Sequence, residues 1–173
     1  MKVIGFCGWS GAGKTTLIEG VIRALKARGL RVSVLKHAHH RFDIDHEGKD
    51  SWRHRKAGAF EVLVASSRRL ALMREYEDEV EHDVHELIAE LAPVADWVLV
   101  EGFKHADLLK IEVWREGVGN APLYPADPYV AAVATDRAEA LPVPTGLPVL
   151  PLDDPAAVAQ WLIVSGSRHD YSA

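Results

Sequence analysis

KVIGFCGWSGAGKTTLIEGVIRALKARG, residues 2–29, changes character twice within its length. The apolar run KVIGFCG (2–8) reads as a buried strand. After a glycine-rich turn, Leu17, Ile18, Val21, Ile22 and Leu25 recur at helical spacing up to Gly29. Between strand and helix, GWSGAGKT (8–15) matches the pattern G-x-x-x-x-G-K-[ST] in full. Glycines let backbone amides turn inward around phosphates, and the helix N-terminus adds the positive end of its dipole. Gly8, Ser10, Gly11, Ala12, Gly13, Lys14, Thr15 and Thr16 are the expected nucleotide cradle. Lys14 is expected to bridge the β- and γ-phosphates, and the Thr15 hydroxyl to ligate Mg²⁺. Position 9 is Trp, where dimeric proteins with a deviant form of this loop carry a lysine that reaches the partner's nucleotide. Hydrolysis here lacks that source of charge neutralisation.

Outward from the loop, LRVSVLKH (30–37) reads as a second strand, so strand, helix and strand make a right-handed parallel βαβ unit the default. FEVLVASS and RRLALMREY (60–76) read as two adjacent strands, a β-strand extension suited to pairing with another copy. DEVEHDVHELIAELAP (78–93) is an amphipathic helix pattern with Val80, Val84, Leu87, Ile88 and Leu91 on one face, closed by Pro93. Strands follow at 96–103, 108–116 and 129–136, with a Gly/Pro-rich loop at 117–128. A short strand within 141–155 precedes a last helix capped by Asp154, and the tail 166–173 is expected to fray. These elements predict an α/β fold of P-loop NTPase type: a single domain over 1–173, three-layer αβα, with a mostly parallel sheet.

The chain has 173 residues, a net charge of -5 and 48% hydrophobic residues, which disfavours a general nucleic-acid binder. An anion must be held by local geometry and not by an overall positive field. Cys7 is the single cysteine, so no internal disulfide forms. No leader pattern and no apolar stretch of about 20 residues is present, and the expectation is a cytoplasmic protein without membrane contact.

A triphosphate site of this kind needs an acid at the end of a neighbouring parallel strand. Glu101, after WVLV and before Gly102, has that setting and can bind the ion directly or through water. Asp43 and Asp45 in FDID alternate, so on an extended segment they share one face. Just beyond the second strand, they suit metal or water positioning near the γ-phosphate. Lys14, Asp45 and Glu101 are thus the candidate catalytic set, and Thr15, Asp43, Asp45 and Glu101 the candidate metal set. Asp50 serves either in chemistry or as a helix cap. Asp136 ends AAVATD, where a carboxylate can accept from N1 and the N2 amino group of guanine. Adenine lacks that donor pair, although the fuller asparagine-lysine-x-aspartate form is absent here.

KHAHHRFDIDHEGKDSWRHRKAGA (36–59) holds five of the nine histidines, three aspartates and six Lys or Arg residues. Its spacing matches no closed zinc pattern, and interspersed acids argue against nucleic acid. The segment resembles the signature of the MobB family, the molybdopterin-guanine dinucleotide biosynthesis adapter proteins. GFCGWSGAGKTTLIEGVIRALKARG resembles the family's opening, DWVLVEGFKHADLLKIEVWRE its "VEGFK…KIEV.R" block, and AAVATD with GLPVLPLDD its C-terminal part. The resemblance implies a GTP- and Mg²⁺-binding homodimer with weak hydrolysis. It implies assistance to the guanylyltransferase that joins GMP to molybdopterin, contact with other molybdenum cofactor proteins, and molybdopterin as a further ligand. Within 36–59 it implies a nucleotide-facing Asp end, with His39, His40, Lys49, Arg53 and Arg55 turned outward to another anion or protein. The arginines could instead act as transition-state charge donors. Two other classes share parts of the pattern: a P-loop small-molecule or nucleotide kinase, and a histidine-based metal chaperone.

Overall fold

The computed structural model describes residues 1–38, 42–91, 93–118 and 120–171, so His39 and His40 lie outside it. The chain divides into two compact units, Met1–His37 with Asp83–Ala173, and Ala38–His82.

The larger unit is built on six strands: β1 (Lys2–Cys7), β2 (Val32–Lys36), β5 (Trp97–Glu101), β6 (Lys110–Val113), β7 (Val130–Thr135) and β8 (Val149–Pro151). Their order is β2-β5-β1-β6-β7-β8, and every neighbouring pair is parallel. Successive side chains of a strand face opposite sides, and this sheet is covered on both. Ile4, Phe6, Trp97, Leu99 and Ile111 pack beneath α1 (Lys14–Lys26) and α4 (Pro155–Val164). Val3, Val98 and Val100 face α3 (Val84–Ala89) through Val84 and Ile88. In α1 the buried apolar side chains are Leu17, Ile18, Val21 and Leu25, each worth about 1.5–3 kcal/mol on burial. Helices α1 and α4 touch at Gly20, where a side-chain carbon would stand 2.4 Å from Pro155.

Two boundaries differ from the sequence reading. The helix expected over 78–93 spans only Val84–Ala89, because the Asp83 carboxylate caps it by accepting from the His85 and Glu86 amides. Val80, assigned to its apolar face, stands 49% exposed. The tail is not frayed through Tyr171. Gly166–His169 forms a 3-10 turn, His169 is buried against Trp97 and Trp161, and Asp170 pairs with Lys2. Trp97 and Lys2 lie far from the tail in the chain, which is why local composition does not reveal the docking.

The smaller unit holds α2 (Asp50–Lys56) and a two-stranded antiparallel sheet, β3 (Glu61–Ala65) with β4 (Leu70–Arg74). The two strands expected at 60–76 therefore pair with each other. Among the described residues no helix is long and apolar enough to cross a membrane.

Candidate functional site

In open parallel sheets, ligands bind beyond the carboxyl ends of the strands, where the connections diverge to either side. Strand β1 lies between β5 and β6, and its C-terminal end runs directly into Gly8–Thr15. Gly8, Gly11 and Gly13 all have positive φ, at 126°, 82° and 102°. Gly8 has no alternative, since a Cβ there would meet the Val113 carbonyl oxygen at 2.3 Å. Gly13 precedes α1 without a side-chain cap, so the first helical amides are left to an incoming anion. Ser10 and Gly11 are exposed, whereas Ala12 is buried and its amide donates to the Trp9 carbonyl at 3.2 Å. Ala12 thus anchors the loop to the core. Thr16 is exposed on the first turn of α1.

The Lys14 ammonium donates to the Gly8 and Trp9 carbonyls, at 2.8 and 2.9 Å, and so spans the loop's opening. Burial pulls its pKa below the ordinary lysine value, and the nearby Glu101 carboxylate opposes that pull. Glu101 ends β5 in register with Phe6 of β1 and with Lys36 of β2. It accepts the Thr15 hydroxyl at 2.7 Å and pairs with Lys36 at 3.3 Å. The helical Thr and the strand-end acid therefore meet, as the spacing of the two motifs predicts. A hydroxyl beside a carboxylate at the edge of this loop is a pair of oxygen donors of the kind a hard divalent cation takes.

Asp43 and Asp45 do share one side of their segment, but both are held by Arg55. Its Nη2 donates to Asp43 at 3.0 Å, its Nε to Asp45 at 3.1 Å, and its Nη1 to Glu75 at 2.6 Å. Ser51 adds a bond to Asp45 at 2.9 Å. The Asp45 amide and the guanidinium hold the Asp43 carboxyl below the usual range. Burial pushes Asp45 up, yet the His46 amide, the Ser51 hydroxyl and Arg55 together keep it low. Arg55, expected to face outward, has a side chain only 10% exposed and serves this acidic pocket. Arg53 does face solvent, beside Asp50, which starts α2 without capping it. Among the described residues no group of three His, Cys, Asp or Glu side chains is placed to hold a metal.

Sequence reasoning gave no role to Lys104 or Glu112. Trp9 donates from its indole to the Ala121 carbonyl at 2.8 Å, and the Lys104 ammonium sits 4.1 Å from the ring centroid. The Lys104 ammonium thus rests on the face of the tryptophan in a cation–π contact. Glu112, fully buried in β6, accepts the amides of Leu123 and Tyr124 and so anchors the chain there. Burial raises its pKa, and those amides partly restrain the rise. An acid inside the apolar KIEV strand was the one available signal. Cys7 is buried, its thiol pKa is pushed up to about 12, and it is no nucleophile. Asp136 follows β7 and pairs with Arg115 Nε at 3.0 Å.

Residues 3–136 match the family described as molybdopterin guanine dinucleotide synthesis protein B. The chain is 42% identical over 165 residues to the molybdopterin-guanine dinucleotide biosynthesis adapter protein of Escherichia coli (strain K12), covering 94% of this chain and 92% of that one. It is 45% identical over 137 residues to the adapter protein of the same description from Haemophilus influenzae, covering 79% and 75%. The crystal structure of a MobB protein homolog from Bacillus stearothermophilus has the same fold, with a TM-score of 0.71 at 24% identity, covering 97% of this chain and 99% of that one. Sequence match, parallel sheet and loop geometry agree, and the chain belongs to the MobB family.

Proposed function

We propose that this protein binds GTP with Mg²⁺ on Gly8–Thr16 and acts as an adapter in the synthesis of the molybdopterin guanine dinucleotide. The observation that carries the reading is the meeting of Thr15 and Glu101 at 2.7 Å, beside the Lys14 ammonium and the uncapped start of α1. On nucleotide binding Lys14 leaves the Gly8 and Trp9 carbonyls for phosphate oxygens, and Thr15 with Glu101 holds the ion. The ion supplies positive charge to the triphosphate. Asp136 accepts from the guanine edge.

Hydrolysis is slow, below about one turnover per second. Glu101 is committed to Thr15 and Lys36, and Asp45 to Arg55, so neither carboxylate is free to orient an attacking water. The partner is the guanylyltransferase that joins GMP to molybdopterin, with molybdopterin itself as a further ligand. The chain works as a cytoplasmic homodimer. Asp43 and Asp45 act in nucleotide sensing only when Arg55 releases them.

Equilibrium binding of GTP and ATP analogues with Mg²⁺, on the wild type and Asp136→Ala, tests the nucleotide assignment. GTP is expected to bind at least tenfold tighter, with the preference lost in Asp136→Ala. Equal binding of both nucleotides by the wild type would overturn it.

A further inference from the structure

Asp136 does not stand alone. The strand end that follows β6 carries Arg115 and Glu116, and the one that follows β7 carries Asp136 and Arg137. The four side chains pair crosswise, Arg115 Nε with Asp136 Oδ2 at 3.0 Å and Arg137 Nη1 with Glu116 Oε2 at 3.0 Å. The Thr135 hydroxyl accepts the Arg137 amide at 3.2 Å and sets the turn that presents Asp136. On its other side the Arg115 guanidinium reaches the start of α1. A methyl group on Gly13 would stand 3.9 Å from its Nη2, which also lies 4.0 Å from Asp153, just after β8. Arg115 thus lies between the phosphate loop and both acids that flank the end of the sheet.

The contact with Asp136 has an unusual form. Arg115 Nε is fully covered, yet its N–H makes no hydrogen bond although the carboxylate oxygen is 3.0 Å away. The N–H does not point at that oxygen, so the pair is a charge contact that leaves the carboxylate without a directed hydrogen bond from Nε. A covered guanidinium N–H beside a carboxylate ordinarily donates to it, and here it does not. The reason on offer is that the carboxylate keeps its accepting directions for something else. A guanine edge needs two, one for N1–H and one for the N2 amino group. Adenine places an acceptor at N1 and has no N2 amino group, and the same carboxylate repels it.

We infer that Arg115 is the positioning residue for Asp136, fixing the carboxylate by charge without consuming its acceptors and tying the base end of the site to Gly13. This rests on the reading of Asp136 as the guanine acceptor. Arg115 then governs the choice of base, while the triphosphate is held by Gly8–Thr16. The inference absorbs a residue of the KIEVWRE block to which the sequence alone gives no role.

The test is equilibrium binding of Mg²⁺ with GTP, ATP and inosine triphosphate, which keeps N1–H and lacks the N2 amino group. Wild type, Arg115→Met, Arg115→Lys and Asp136→Ala are compared, and folding is checked by thermal melts. Arg115→Met is expected to lower the GTP-to-ATP affinity ratio about tenfold and the GTP-to-inosine triphosphate ratio with it. ATP affinity should stay within about twofold, and Arg115→Lys should restore part of the ratio. If Arg115→Met does not fold, Arg115→Lys carries the comparison, with a ratio between those of wild type and Asp136→Ala. An unchanged ratio in a folded Arg115 variant, or a parallel loss of GTP and ATP affinity, overturns the inference while leaving Asp136 in place. If Asp136→Ala itself keeps the wild-type ratio, the base-reading assignment fails first.

Discussion

His169 shows how one residue's environment becomes a property of the fold. It lies between Trp97 and Trp161, and its Nε2 shares a hydrogen bond with Ser165 Oγ at 2.9 Å. Burial, helped by Arg168 and Lys2 and opposed by Asp170, pushes its pKa down to about 4. The neutral ring is the form the fold accepts. Between pH 6.5 and 4 the unfolded chain binds a proton that the folded chain refuses, so stability falls as pH falls through that window and is fully present above it. The contribution is roughly 1–2 kcal/mol once partial solvent screening is allowed for. Denaturant unfolding of the wild type at pH 7 and pH 4.5 should show that extra loss, and His169→Gln should not. Equal pH dependence in both would contradict the assignment. The loop was legible in the sequence because its glycines, Lys14 and Thr15 stand at fixed spacing between a strand and a helix, and Lys14 reaches the Gly8 and Trp9 carbonyls a few positions away. Arg55 was not. An arginine that faces inward and one that faces solvent look alike in sequence, and only the convergence of Asp43, Asp45 and Glu75 decides between them.

Elements were legible where burial imposes a period. Strands β1, β5 and β7 are buried at nearly every position, and they read as continuous apolar runs. Helix α3 was overextended because an acid-rich stretch carries helical spacing without a core to pack against, and the Asp83 cap sets the true start. The β3–β4 hairpin carries its own prediction. Its register places Leu63 opposite Leu72 and Ala65 opposite Leu70, so the three leucines share one face. They are 58%, 43% and 66% exposed. An uncovered apolar sheet face of this kind is an association surface. Under the dimer proposal, Leu63→Lys combined with Leu70→Lys should convert a dimer to a monomer in sedimentation equilibrium, with the melt of the larger unit unchanged. A monomeric wild type at tens of micromolar, or a double variant that stays dimeric, would remove the hairpin from the interface.

At the scale of the molecule, the sheet order brings together what the chain keeps apart. Thr15 and Glu101 lie 86 positions apart and meet because β5 inserts between β2 and β1. The motif pair was enough to anticipate that meeting. The brace at Arg115 was not anticipated, since it depends on β6 and β7 ending side by side in the sheet. The docking of the tail was also hidden, because Lys2, Trp97 and His169 converge only in the folded chain. The central claim is that a nucleotide-loaded loop supports synthesis of the guanine dinucleotide by a partner enzyme. Its most direct test is reconstitution of purified guanylyltransferase with molybdopterin, GTP and Mg²⁺, with and without this protein. Wild type is expected to raise the rate of dinucleotide formation at limiting GTP, while Lys14→Ala and Thr15→Ala, folded by thermal melt, should leave the rate of the enzyme alone. No acceleration by the wild type, or equal acceleration by the two variants, would contradict the account.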